Sequence, residues 1–193
     1  MKKIVLSILV STMLLFNVNA QEVFNKGDLQ FNLGLGLGAT YLSSYSSALI
    51  PSINFSGEYG TIPTGEIGLV SFGGMVSAIY SPYYEYVNWI IDETKGHDLG
   101  FAFQGRAAWH LHVFNSDKWD VYAGLGSGFR VTSWSRTYYY YDNTSKTETG
   151  SYSDFIISEF VGGRMMTSEN FGFFAEVGFG GVSTMRIGLT FKM

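Results

Sequence analysis

The stretch Asp28–Thr40 reads DLQFNLGLGLGAT. Every odd position from Leu29 to Leu37 is Leu or Phe, and the even positions hold Gln30, Asn32, Gly34, Gly36 and Gly38. Strict period-two alternation marks a β-strand with two unlike faces. The pattern recurs outward from this segment. Ile53, Phe55 and Tyr59 share a face; so do Val70, Phe72, Val76, Ala78 and Tyr80, although Ile67 and Leu69 run out of phase and predict a bulge or a two-sided end. Leu99 to Val113 and Trp119 to Val131 alternate in the same way, as do Phe171 to Phe179 and Met185 to Phe191. Asp154–Met166 turns ambiguous at Glu159. The reading is eight strands and no helix.

The connections alternate in length. GTIPTG (60–65), FNSDK (114–118) and TSEN (167–170) are short, as is 180–183, whereas 41–50, 81–96 and 135–153 are long. This places one set of connections on each rim, the pattern of short periplasmic turns and longer external loops. An even strand count leaves both termini on the periplasmic side.

The 193-residue chain opens with Lys2 and Lys3, an apolar run Ile4–Phe16 and the small-residue ending Val18-Asn19-Ala20. Residues 1–20 read as a cleaved secretory signal and 21–193 as the mature domain. Loss of Lys2 and Lys3 moves the formal charge from −4 to −6, an acidity that argues against a nucleic-acid partner. There is no Cys, so neither a disulfide nor a lipid-anchored cysteine is available. After the signal no apolar run approaches the roughly 20 residues of a membrane helix. If this chain spans a membrane, it does so as a closed barrel, the only other structure that satisfies every backbone group in lipid.

Charge placement separates a membrane barrel from a soluble one. Lys26, Lys95, Lys118, Lys146 and Lys192 fall in turns, loops or ends, while the cations within strands are Arg106, Arg130, Arg164 and Arg186. Arginine suits buried, multiply bonded ion pairs; lysine prefers full hydration. The polar face therefore points inward and the leucines meet lipid, giving an all-β, eight-stranded antiparallel up-and-down transmembrane β-barrel. Eight strands enclose an interior only wide enough for side chains. Gly34, Gly36 and Gly38, with Gly124, Gly126 and Gly128, are expected to clear space for inward arginines and glutamates. Arg106 and Glu176 fall mid-strand on inward faces, and Arg164, Glu58 and Glu66 nearer the periplasmic end, which predicts an ion-pair network among the five. Tyr59, Trp109, Trp119 and Phe191 are expected at one membrane interface, and Tyr41, Tyr80 and Trp134 at the other.

The segments GGRMMTSENFGFFAEVGFG (162–180) and MRIGLTFKM (185–193) resemble the outer-membrane-protein β-barrel-domain family, the small barrels of the OmpX and OmpA-transmembrane kind. The resemblance implies an outer-membrane location, and a final strand whose aromatic residue is read by the barrel-insertion machinery. Phe191 matches that residue, while the chain ends in Met193. The family implies no single activity, since its members include adhesins and evasion factors.

Three functional classes follow. The first is a structural or surface-interaction barrel, acting through loops 81–96 and 135–153. Their aromatics Tyr83, Tyr84, Tyr86 and Trp89, with Tyr138, Tyr139, Tyr140 and Tyr141, suit contact with an extracellular protein or matrix partner. The alternative for these tyrosines is pairing across hairpins that extend above the membrane. The second class is a lipid-modifying enzyme with His97 and Asp98 at the outer mouth and Ser151 or Ser153 nearby. The third is a narrow channel. GLGLGAT and GLGSGF lack the helix that a phosphate loop must open. His110 and His112 read as lumen-packed residues, and no metal or cofactor site is predicted. Outer-membrane lipid is the expected surrounding and a monomer the expected state. Asn143-Thr144-Ser145 matches a glycosylation sequon by pattern and reads as loop chemistry.

Overall fold

The computed structural model describes residues 23–39, 51–85, 91–112 and 116–193. The signal segment, Tyr41, Tyr86 and Trp89 lie outside the described residues. Eight strands form a closed ring in chain order: β1 Leu29–Ala39, β2 Ser52–Pro63, β3 Gly68–Glu85, β4 Ile91–Leu111, β5 Trp119–Tyr140, β6 Ser145–Met166, β7 Phe171–Phe179 and β8 Ser183–Lys192. Every pairing is antiparallel, and β1 closes on β8 with Leu33 opposite Leu189. Closure leaves no edge at the level where all eight strands pair.

The alternation of the sequence becomes an inside and an outside. Gln30 and Asn32 are buried, while Leu33, Leu35 and Leu37 are exposed. The exposed side carries Phe55, Phe72, Phe103, Leu125, Phe129, Phe173 and Ile187, and the buried side carries serine, asparagine, glutamate and arginine. This inversion of a soluble protein is what a barrel in hydrocarbon requires.

The glycines clear space, although mostly not for charges. A Cβ on Gly34 would lie 2.6 Å from the Phe174 ring, and one on Gly124 2.5 Å from Phe160. At Gly36 it would meet the hydroxyls of Ser52 and Ser183, and at Gly126 that of Ser158. Gly128 instead approaches the Phe103 backbone, and Gly38 sits at φ +73°. The expectation that these six make room for arginines is corrected: Phe160 and Phe174 are inward rings, and a narrow interior can seat a ring only over a bare backbone. Two glycines serve the charges, Gly126 of that set and Gly73 outside it. Gly73 stands between Glu58 and Arg106 in one cross-strand row, and Gly126 flanks Arg106 on its other side.

Three further features settle points that the sequence reading left open or placed elsewhere. Residues 81–85, 91–96, 135–140 and 145–153 are strand, so the tall part of the wall consists of paired hairpins, with Tyr83 opposite Gly96 and Tyr138 opposite Lys146. Their Tyr- and Thr-rich composition favours strands as strongly as it suits loops. Glu66 and Ile67 lie in a 3-10 turn, Gly65–Ile67, and the bulge sits in β2 between Gly60 and Ile62. Glu159 does not break β6: alternation continues through it and turns its side chain outward.

Strand length is uneven. β3 to β6 have 18, 21, 22 and 22 residues, whereas β7, β8, β1 and β2 have 9, 10, 11 and 12. β6 pairs with β7 only from Glu159 to Met166. One side of the barrel therefore rises well above the other as a four-stranded sheet.

Candidate functional site

Two polar assemblies stand out, one inside the barrel and one on the tall wall. Inside, cross-strand rows set charges beside each other. Arg164 faces Asp120 across β5–β6, and Glu176 faces Arg186 across β7–β8. Arg106 Nη2 lies 2.6 Å from Glu176 and 3.3 Å from Glu58. Arg164 bridges Glu58 at 2.6 Å and Asp120 at 2.8 Å. Arg186 Nε lies 3.1 Å from Glu176. The Tyr122 hydroxyl donates to Glu176 at 3.0 Å. The route for that bond is Gly162, where a Cβ would come within 2.7 Å of the Tyr122 ring and 2.8 Å of Glu176. Three guanidinium groups thus meet the three carboxylates Glu58, Asp120 and Glu176, all buried. Buried charges need such pairing, because each loses its hydration. Two rings lie against the guanidinium planes: Phe160 at 3.8 Å from Arg106 and Tyr122 at 4.3 Å from Arg164.

Of the five residues predicted to cluster, Glu58, Arg106, Arg164 and Glu176 meet and Glu66 does not. Glu66 is exposed in the 3-10 turn before β3. Strand phase placed it inward, but the chain is not yet strand at that point. Asp120 and Tyr122 are not named by the sequence reading, and Arg186 is named there as a strand cation but not as a member of the network. Their signal is strand parity: each has the phase of the inward positions on its strand.

His110 joins the cluster from β4. Its Nδ1 is 2.9 Å from Asp120, and its Nε2 is 2.9 Å from the Ser71 hydroxyl. The order is that of a serine–histidine–aspartate relay. Ser71 and His110 are fully enclosed, and Asp120 is shared with Arg164. The His110 ring also lies 4.5 Å from Phe24. Phe24 and Val23 precede β1 and are buried in the end of the barrel where β1 begins and β8 ends. Lys192 donates to the Val23 carbonyl at 2.9 Å, and the strap passes so close to Gly60 that a Cβ there would lie 2.3 Å from the Asn25 carbonyl oxygen. The relay holds charge in an enclosed space and offers no face to a substrate.

At the opposite mouth His97 stacks on Tyr80 on the outer side of the wall, with ring centroids 5.5 Å apart. Asp98 faces inward and receives Arg136 at 2.8 Å. Ser151 and Ser153 lie on β6, two strands away from His97. The serine–histidine–carboxylate grouping weighed as an alternative for this mouth is not assembled, because neighbouring positions on a strand face opposite sides.

The tall wall carries aromatics on both faces. Tyr84, Tyr139, Tyr141 and Tyr152 are exposed, while Tyr138 and Tyr140 are half-buried. Lys95 lies between the Tyr84 and Tyr139 rings, 5.5 and 5.6 Å from their centroids. It also pairs with Glu93 at 2.7 Å, and with the Tyr84 hydroxyl this bond holds the Glu93 carboxyl below its usual range. Asn143 takes φ 63° in the β5–β6 turn, a left-handed position that Asn tolerates. Of the expected interface aromatics, Tyr59, Tyr80, Trp109, Trp119 and Phe191 are exposed on the outside. Trp134 is half-buried, and strand parity turns it to the inner side, where its ring covers Gly150.

No protein-family model matches the chain, and no curated protein matches it. Among solved structures it is similar to Ail, the attachment invasion locus protein of Yersinia pestis, at 13% identity over 87% of this chain and 99% of that chain, with a TM-score of 0.48. Ail in complex with the heparin analogue sucrose octasulfate gives 10% identity over the same shares, with a TM-score of 0.49. The chain is an all-β closed ring of eight antiparallel strands, apolar outside and charged within.

Proposed function

We propose that this chain is a small outer-membrane barrel that acts by surface interaction through the tall sheet of β3 to β6. The carrying observation is the difference in strand length. The short strands show that 9 to 12 residues complete a wall, close to the 9–11 of a membrane-spanning strand. The further 10 or so residues in each of β4 to β6 are not needed to span lipid. With the end of β3 and the β5–β6 turn, they present Tyr84, Tyr139, Tyr141 and Tyr152, large rigid side chains that make contact area at low entropic cost. An extracellular protein or matrix component is the partner this surface fits. Inside, the paired charges and the buried Phe24 strap support a lumen closed to ions. Phe191 on the last strand is the residue offered to the insertion machinery.

The test is to shorten both hairpins, removing 83–94 and 137–148 in favour of tight turns. The trimmed barrel should still insert and keep its stability, and should lose adhesion to immobilised host-matrix components that bind the intact protein. Unchanged adhesion by the trimmed barrel would refute the reading.

A further inference from the structure

Glu159 is out of place for a barrel in lipid. It sits on β6 between Val161 and Ile157, opposite Leu125 on β5 and Phe179 on β7. Among the described residues it is the one charged side chain that faces outward in the membrane-spanning part of the strands, and it makes no hydrogen bond or ion pair there. An ionisable group at such a position needs a partner, because hydrocarbon offers neither water nor a donor. Its surroundings are apolar and open: Leu125 is 63% exposed, Ile157 68%, Val161 60% and Phe179 61%.

The missing donor is present on the same surface. Ser127 on β5 pairs with Ile157, faces outward and is exposed. It is the diagonal neighbour of Glu159 on the adjacent strand, a separation of roughly 7–8 Å. A twofold axis through the midpoint of that diagonal sets each Glu159 against the other copy's Ser127. One surface then supplies both halves of two reciprocal hydrogen bonds, as an isologous interface demands. Polar side chains join membrane segments in this way because lipid cannot satisfy them.

We propose that two copies of this barrel associate in the membrane through the outer face of β5 and β6, with Glu159 of each accepting a hydrogen bond from Ser127 of the other. The inference rests on the membrane reading above and replaces the monomer expected from the sequence.

The cysteine-free chain allows a direct test in reconstituted lipid vesicles. Ile157→Cys should give an oxidatively cross-linked dimer, and Leu35→Cys on the opposite wall should not. Adding Glu159→Leu to Ile157→Cys should abolish the cross-linked band while the monomer keeps its heat-modifiable mobility. Ser127→Ala, which leaves the carboxyl in place, should weaken the band. Equal cross-linking at positions 157 and 35, or a band that survives both Glu159→Leu and Ser127→Ala, would overturn the dimer. Loss of vesicle insertion by the wild-type chain would instead overturn the membrane reading.

Discussion

At the scale of single residues, the interior is decided by which side chains glycine lets meet. Gly162 is the clearest case, since Tyr122 reaches Glu176 only across its bare backbone. Gly162→Ala should cost about 1–3 kcal/mol through overpacking, read as a lower urea midpoint in lipid. Gly74→Ala, where the new Cβ meets nothing nearer than 3.5 Å, should be neutral or slightly stabilising in the same assay. The charged cluster gives a second contrast. Glu176→Ala leaves Arg106 and Arg186 facing each other without their shared carboxylate, a loss of about 3–5 kcal/mol for a broken buried pair. Glu66→Ala removes an exposed side chain from a turn and should leave the midpoint unchanged. Parity made Glu58, Arg106, Arg164 and Glu176 visible in the sequence. It misplaced Glu66 because parity has meaning only inside a strand, and the strand begins two residues later.

At the scale of elements, the strap and the tall hairpins matter most. Val23 and Phe24 belong to no strand, yet they are as buried as any core residue. Phe24→Ala should lower stability by about 3–5 kcal/mol, the usual loss for an emptied aromatic site, while the barrel still forms. If the unfolding midpoint does not move, the strap contributes nothing to closure. The hairpins of β3–β4 and β5–β6 carried ambiguous signals. Tyrosine and threonine runs fit both an exposed loop and a paired strand, and local composition holds no information about which partner lies alongside. Pairing along Tyr138, Lys146 and their neighbours resolved it.

At the scale of the whole molecule, an apolar exterior and a paired interior set the gross behaviour. The mature protein should fractionate with outer membrane and migrate faster on gels unheated than boiled. Recovery in the soluble periplasmic fraction would contradict the exterior. Wild-type protein in a planar bilayer should show no large steady conductance, because Arg106, Arg164 and Arg186 are locked to carboxylates and Phe24 covers His110. A persistent open level would show that the strap leaves its seat.

The strand number, the inside and outside of most strands and the inward arginines were legible in the sequence alone, because alternation is a local property that each segment states for itself. Asp28–Thr40 already separated a lipid face from a lumen face. The tertiary structure alone decided which residues meet across the barrel. Glu58 and Arg164 are 106 positions apart, and only closure of β1 on β8 with a defined stagger brings such groups within hydrogen-bond reach. Closure also explains Glu159. In an isolated strand it looks like an interruption of the pattern. In the closed ring it is an outward carboxyl in an exposed apolar patch, because pairing on both sides holds β6 in phase and leaves that side chain no way in.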